Sequence, residues 1–337
     1  MVTMSASSQL LRLTDARVNE DAPRRQLHMK CPVCALDMNA LDTTDTSAAK
    51  TCTACGFTLL NQGGIWRAVA PHREERFRQF VQEYQKVRAL EGRGSSNPDF
   101  YLNLPYTDST GRNCWQWKIR GRSFRFFQER ILPQVERGQG RGLDVLDLGA
   151  GNCWMSYRLA LRGHYPVSVD LIDNAEDGLG AARHYLGHLP NPFQRFQAEM
   201  DRLPFQDHQF DLAIFNASFH YSEDYHCTAG EALRCLRRPG SLAIMDSPFY
   251  VRDLNGRQMV RERKATFAQR FGFASDSLAS REYLTGEILE ELGRKFRLSW
   301  KIEKPWYGAG WALRPFKARL LRRREPSKFF IFWARVE

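Results

Sequence analysis

No apolar run in this chain approaches the ~18 residues that a helix needs to cross a bilayer. Met1–Glu20 also lacks the continuous apolar stretch of a secretory leader, so the expected location is cytoplasmic. No internal repeat is evident, which excludes solenoid and propeller arrays. An acidic excess is missing too: 49 Lys and Arg face 38 Asp and Glu, a net charge of +11. That balance favours polyanionic partners but fits a soluble enzyme with a basic surface equally well, and it says nothing about fold. Cysteine is sparse, and four of the eight cysteines fall into two close pairs.

Those pairs, Cys31-Pro-Val-Cys34 and Cys52-Thr-Ala-Cys55, have the spacing C-x₂-C-x₁₇-C-x₂-C. Without a secretory signal, such pairs read as metal ligands rather than as a disulfide framework. Four thiolates suit tetrahedral zinc and leave no open coordination position, so Cys31, Cys34, Cys52 and Cys55 are expected to hold a structural ion. Gly56, after the last cysteine, fits the tight turn of a zinc knuckle.

The segmentation follows composition. Residues 1–27, rich in Ser, Thr, Asp and Arg, read as a disordered tail, and residues 28–70 as a zinc ribbon. Residues 71–140 read as a helical, aromatic cap, with Phe77, Phe80, Val81, Tyr84 and Val87 close to helical spacing. From residue 141 strands and helices alternate, which implies βαβ units and a mostly parallel sheet. The expected strands include Asp144–Leu148, Val167–Asp170, Phe210–Phe215 and Ser241–Asp246; Leu298–Glu303 and Phe329–Val336 close the chain. A basic, aromatic insertion lies near residues 305–328.

The chemistry centres on Val145-Leu146-Asp147-Leu148-Gly149-Ala150-Gly151-Asn152: an apolar strand, a glycine turn and a helix start. Glycines let backbone pass close to a ligand, and ligands settle at this edge of open α/β sheets. The dinucleotide fingerprint fails, because its third glycine would fall at Trp154. Asp147, two residues before Gly149, suits a cationic ligand and would repel a phosphate. Asp170 ends the next strand, 23 residues after Asp147. A carboxylate there can accept from both hydroxyls of a ribose. Glu199 follows the third strand and Asp211 opens the fourth.

With these residues in place, the chain resembles class I S-adenosylmethionine-dependent methyltransferases, in particular the methyltransferase type 11 group that includes the ubiquinone/menaquinone methyltransferases. Val145–Asn152, Val167–Asp170, Ala198–Phe205, Phe210–Tyr221 and Glu231–Asp246 carry the likeness, in order, over about residues 141–250. The resemblance implies a Rossmann-like α/β fold with a seven-stranded, mostly parallel sheet. It implies S-adenosylmethionine as cofactor: Asp147, Gly149 and Gly151 at its methionine part, Asp170 at the ribose, and Glu199 with the Met200 backbone at the adenine. Cys153 stands where that group usually has a third glycine, and Ala198-Glu199 where it has Gly-Asp. Residues 28–70, through Gly63-Gly64-Ile65-Trp66, resemble Trm112-like zinc ribbons, and a zinc ribbon ahead of such a core is similar in architecture to bacterial ribosomal RNA guanine-N1 methyltransferases.

The acceptor stays open between a small, aromatic or lipophilic metabolite and an RNA base. A non-catalytic cofactor-binding or scaffold module is the alternative of another class. The absence of an Asn-Pro-Pro-Tyr run at Asn216 disfavours the exocyclic-amine group that carries it. His220 is the candidate general base, with Asn216, Tyr221 and Asp246 on neighbouring strand ends. Two regions mix rings with cations, Tyr101–Phe127 and Trp306–Lys328. Such mixtures clamp nucleic acid or wall an apolar acceptor pocket.

Overall fold

The computed structural model describes residues 26–42 and 49–337. Five strands come first: β1 (Gln26–Lys30), β2 (Asp37–Asp42), β3 (Ala49–Thr51), β4 (Thr58–Gln62) and β5 (Ile65–Arg67). Helices α1 (Pro71–Leu90), α2 (Pro98–Asn103), α3 (Cys114–Phe126) and α4 (Leu132–Glu136) follow, with a π turn at Phe127–Ile131. The alternating region holds β6 (Asp144–Leu148), α5 (Trp154–Ala160), β7 (Tyr165–Asp170), α6 (Arg183–Leu186) and β8 (Gln194–Gln197). It continues with β9 (Phe210–Asn216), α7 (Tyr225–Cys235) and β10 (Leu236–Met245). The rest comprises α8 (Asp253–Phe271), α9 (Gly286–Phe296), β11 (Lys301–Glu303), α10 (Ala309–Ala312), α11 (Arg314–Leu320) and β12 (Ile331–Val336). Of the expected tail, residues 1–25 lie outside the described residues, while Gln26 and Leu27 open β1.

The main sheet has ten strands, in the order β11-β12-β10-β9-β6-β7-β8-β5-β4-β3, rather than the seven expected. Seven, β6 to β12, come from residues 144–336; the N-terminal unit supplies the other three. The junction is a parallel pairing of Ile65, Trp66 and Arg67 with Arg195, Phe196 and Gln197. Without it β8 would be an open edge with unpaired backbone groups, a liability that β5 removes. The alternating region is parallel throughout (β6 to β7 and β9, β7 to β8, β9 to β10), and β12 and β11 close it antiparallel. Strand order reverses between β6 and β9, so their carboxyl ends splay around a crevice.

Sequence alternation explains both faces of the sheet. Along β9, Leu212 and Ile214 join one apolar cluster with α3 and α5, while Ala213 and Phe215 join a second on the opposite face. Helix α8 was not expected from the sequence. Of its nineteen residues only Gly256 is buried, so it carries no apolar stripe. No helix among the described residues is long and apolar enough to cross a membrane.

Trp66 ties the N-terminal unit to the rest. Its ring is fully buried in the cluster that includes Val167 and Phe196, and its Nε1 donates to Gln194 Oε1 at 3.1 Å. Trp66→Ala is expected to cost ~3–5 kcal/mol and to lower the denaturant midpoint of one shared transition. Two resolved transitions in the unaltered protein would instead mean that the N-terminal unit and the core unfold apart.

Candidate active site

The four cysteines converge first. The Sγ atoms of Cys31, Cys34, Cys52 and Cys55 all lie within 4.8 Å of one another, with Cys31–Cys55 at 3.5 Å and Cys34–Cys52 at 3.6 Å. Four sulfurs at ~2.3 Å from a tetrahedral zinc would stand ~3.8 Å apart, so the donor set fits that ion. Two matching turns present them. Ala35 N–H donates to Cys31 O and Gly56 N–H to Cys52 O, and Ala35 and Gly56 both take positive φ (62° and 74°).

The second convergence is the crevice at the strand ends. Asp147, Gly149, Gly151, Asp170, Glu199 and Met200 all line one cleft there. The glycine turn is pinned by Gly149 and Ala150 N–H groups donating to Val169 O. Gly149 has φ 70°, and a Cβ on it would meet Ser218 Cβ at 2.2 Å, so no other residue fits. At Gly151, φ 53°, a Cβ would meet nothing closer than 3.7 Å; the space beside it is open to a ligand. Cys153, where the resembling group has glycine, takes φ 62° while fully buried, so the turn keeps its shape.

Asp147 is 1% exposed at the floor of the cleft. Ser156 Oγ donates to its Oδ2 at 2.7 Å, and its Oδ1 has no partner. Burial pushes its pKa up to about 7. Asp170 accepts from Gly151 N–H at 2.7 Å and Ile172 N–H at 2.8 Å, one per oxygen, so each oxygen keeps acceptor capacity. Burial raises its pKa to about 6. Glu199 reaches the cleft wall, but both oxygens accept from Arg73 Nε at 3.0 Å. Asp211 serves elsewhere: at the amino end of β9 it accepts from Arg141, Arg237 and the Asp144 N–H.

Helix α1 roofs this cleft with Phe77, Phe80, Tyr84 and Arg88, and Arg88 is ion-paired to Asp177 beside the glycine turn. Sequence reasoning saw the apolar spacing of α1 but not its destination. It did not single out Asp177, Arg88, Arg73 or Leu278, which the chain brings to the site from distant positions.

A second cleft continues from the first and shares Phe80, Tyr84, Arg88, Arg120, Ala217, Tyr221 and Leu278 with it. His220 and Asp246 line this second half, whereas Asn216 lines the first. His220 Nδ1 lies 3.2 Å from Ser247 Oγ, and burial, reinforced by the Arg120 charge, pushes its pKa down to about 3. A ring so weakly basic stays neutral at ordinary pH and suits holding a hydrogen-bonding group better than removing a proton. Ser123 Oγ donates to Asp246 Oδ1 at 2.5 Å and lies 2.8 Å from Tyr307 Oη.

The basic, aromatic segment contributes less than its composition suggests. Trp311 and Phe329 line the second cleft, and so does Trp115, but Trp306 is 69% exposed and stands outside it. Arg324 reaches Glu262 and the Tyr250 hydroxyl, Lys328 pairs with Glu325, and Arg314 lies over the Trp311 ring.

Residues 146–244, from within β6 to within β10, match the family model described as a methyltransferase domain. The match supports an S-adenosylmethionine-dependent methyltransferase. A comparison with curated proteins found no match. Among solved structures, the chain is similar to a 1,6-didemethyltoxoflavin-N1-methyltransferase of Burkholderia thailandensis, seen with 1,6-didemethyltoxoflavin and S-adenosylhomocysteine. The identity is 15%, with 86% of this chain and 99% of that one covered, at a TM-score of 0.43. It is also similar to an S-adenosylmethionine-dependent methyltransferase of Mesorhizobium loti: 17% identity, 60% and 96% coverage, TM-score 0.41. Neither likeness identifies an acceptor.

The raised carboxyl beside the glycine turn has a measurable consequence. An unfolded aspartic acid titrates near 3.9, so between about pH 4 and about pH 7 the folded protein binds the extra proton at Asp147. On this group alone, stability is greatest at the acid end and falls as pH rises through that window. Asp147→Asn removes the dependence. The difference in unfolding free energy between unaltered and variant protein is expected to move steadily against the unaltered protein from pH 4 to 7. A difference that stays flat across the window would show that Asp147 is ionised throughout.

Proposed function

We propose that this chain transfers the methyl group of S-adenosylmethionine to a small acceptor held in the second half of the cleft, under α1. The observation that carries the reading is the continuity of the two halves. One is floored by Asp147 and Asp170, the other is walled by His220, Tyr221 and Asp246, and α1 covers both. Closed on that side, the space suits a small molecule better than a strand of RNA.

The cofactor half fits its ligand by chemistry. The unpaired Asp147 Oδ1 attracts the positive charge of the methionine part, the open side of Gly151 admits its backbone, and Asp170 accepts from the ribose hydroxyls. Glu199 and the Met200 backbone border the adenine, with Glu199 held in place by Arg73. The cofactor supplies an already activated methyl group, so the protein's part is alignment and water exclusion. Tyr221 and the neutral His220 orient the acceptor, while Phe80, Tyr84 and Tyr221, with ring centroids 5.7–6.4 Å apart, keep the junction dry.

Purified protein given methyl-labelled S-adenosylmethionine is expected to label components of a low-molecular-mass extract and to leave total RNA unlabelled. Asp170→Asn should abolish that labelling at low cofactor concentration, because losing charge-assisted hydrogen bonds costs ~1.5–3 kcal/mol of affinity. Label appearing in RNA would overturn the small-acceptor reading.

Cys31, Cys34, Cys52 and Cys55 hold one structural zinc in the same reading. Metal analysis should return about one zinc per chain. Chelation should destabilise the core as well as the ribbon, since β3, β4 and β5 extend the main sheet. A metal-free protein of undiminished stability would refute the assignment.

A further inference from the structure

The arginines lining the two-part cleft pair off, with one exception. Arg88 pairs with Asp177, Arg93 with Glu91 and Arg263 with Glu282. Arg120, on α3, lines both halves, yet it makes no ion pair or hydrogen bond with any described residue. Its Cζ lies 5.0 Å from the centroid of the Trp117 ring. Burial and the like charges of Arg88 and Arg93 both weigh against its cationic form, and Asp246 offsets them only without forming an ion pair. A half-buried guanidinium with no ion-paired or hydrogen-bonded partner is costly unless something else supplies the negative charge.

We infer that Arg120 is the acceptor's anchor, and that the acceptor is a planar aromatic acid whose carboxylate pairs with this guanidinium. This rests on the methyltransferase reading above. Guanidinium and carboxylate match in a planar, two-point contact, which fixes orientation as well as charge. Arg120 lines both halves, and it is assigned to the acceptor because in the second half it shares the lining with His220 and Asp246, which the first half lacks; Tyr221, which also feels its charge, lines both. Aromatic walls accompany it: Tyr84 and Tyr221 at the junction, and Trp115 and Trp311, 6.2 Å apart, at the outer end. Rings of this kind take a flat, conjugated ligand, and the lone cation selects one with a negative group.

The test is binding of benzoate, 4-hydroxybenzoate and 2-naphthoate against their neutral amides. Protein saturated with S-adenosylhomocysteine is titrated, and the intrinsic tryptophan fluorescence is followed. At least one acid is expected to bind tenfold or more tighter than its amide. Arg120→Gln should erase that preference, and Arg120→Lys should restore part of it. Lys118→Gln, exposed on the same helix, should change nothing. S-adenosylhomocysteine affinity, measured by calorimetry, should shift less than threefold in every variant. Equal binding of acids and amides, or no binding by any of them, overturns the inference. So does a tenfold loss of S-adenosylhomocysteine affinity in Arg120→Gln with the acid preference intact, which would assign Arg120 to the cofactor. Failure of the unaltered protein to bind S-adenosylhomocysteine would sink the methyltransferase reading instead. The acid-against-amide comparison on cofactor-free protein would still decide whether Arg120 binds a carboxylate.

Discussion

A carboxylate at the dry floor of the crevice, Asp147, is the constraint around which the site is organised. One oxygen is satisfied by Ser156; the other faces the cleft without a partner. Burying such a group costs several kcal/mol when no positive charge accompanies it, and the protein relieves part of that cost by raising the pKa. The surroundings are nonetheless held firmly. Ser168 Oγ donates to Ser156 Oγ at 2.8 Å, Ser218 Oγ donates to Leu148 O at 2.5 Å, and the Gly149 turn hangs from Val169 O. A rigid frame around an uncompensated charge is pre-organised for a ligand that brings the opposite charge, since no donors have to move when it arrives.

The N-terminal unit takes part in this arrangement through the chain that leaves it. Strand β5 docks on β8, and α1 begins four residues after Arg67, at Pro71. Arg67 at the end of β5, and Arg73 and Arg88 on α1, then fasten this stretch to the core. Arg67 reaches Asp173 and Gln197, Arg73 grips Glu199, and Arg88 pairs with Asp177. Glu199 and Asp177 line the crevice, while Asp173 and Gln197 stand on the loop after β7 and at the end of β8. Any loosening of β3, β4 and β5 therefore reaches the cleft through α1. The cysteine cluster gains a role in positioning the roof without contacting the chemistry.

What the sequence made legible follows from locality. The turn after β6, the acidic ends of β6 and β7 and the paired cysteines are short motifs whose geometry is set by neighbours in the chain. The first two line one cleft, and the four cysteine sulfurs lie within 4.8 Å of one another. The extension of the sheet to ten strands depends on an edge pairing between Ile65–Arg67 and Arg195–Gln197, which no local pattern encodes. Helix α8 carries no apolar face to detect, and Ser123–Glu136 reads as one helix although a π turn interrupts it at Phe127–Ile131. Composition misled at Trp306, since an aromatic residue beside cations looks the same whether it lines a pocket or faces solvent.

The same distinction governs how the +11 charge is to be understood. Arg322 and Arg323 are exposed, and their fields are screened within ~10 Å at ordinary ionic strength. Arg324 and Lys328, in the same basic run, are already matched to Glu262 and Glu325. Whole-chain charge is thus largely a property of solvated surface and internal pairs. A cation inside the cleft acts through a low-dielectric path, where one unmatched guanidinium outweighs several exposed ones. Selectivity in this protein is therefore to be sought where Arg120 faces His220 and Asp246, and not along the arginine run that dominates the composition of the C-terminal segment.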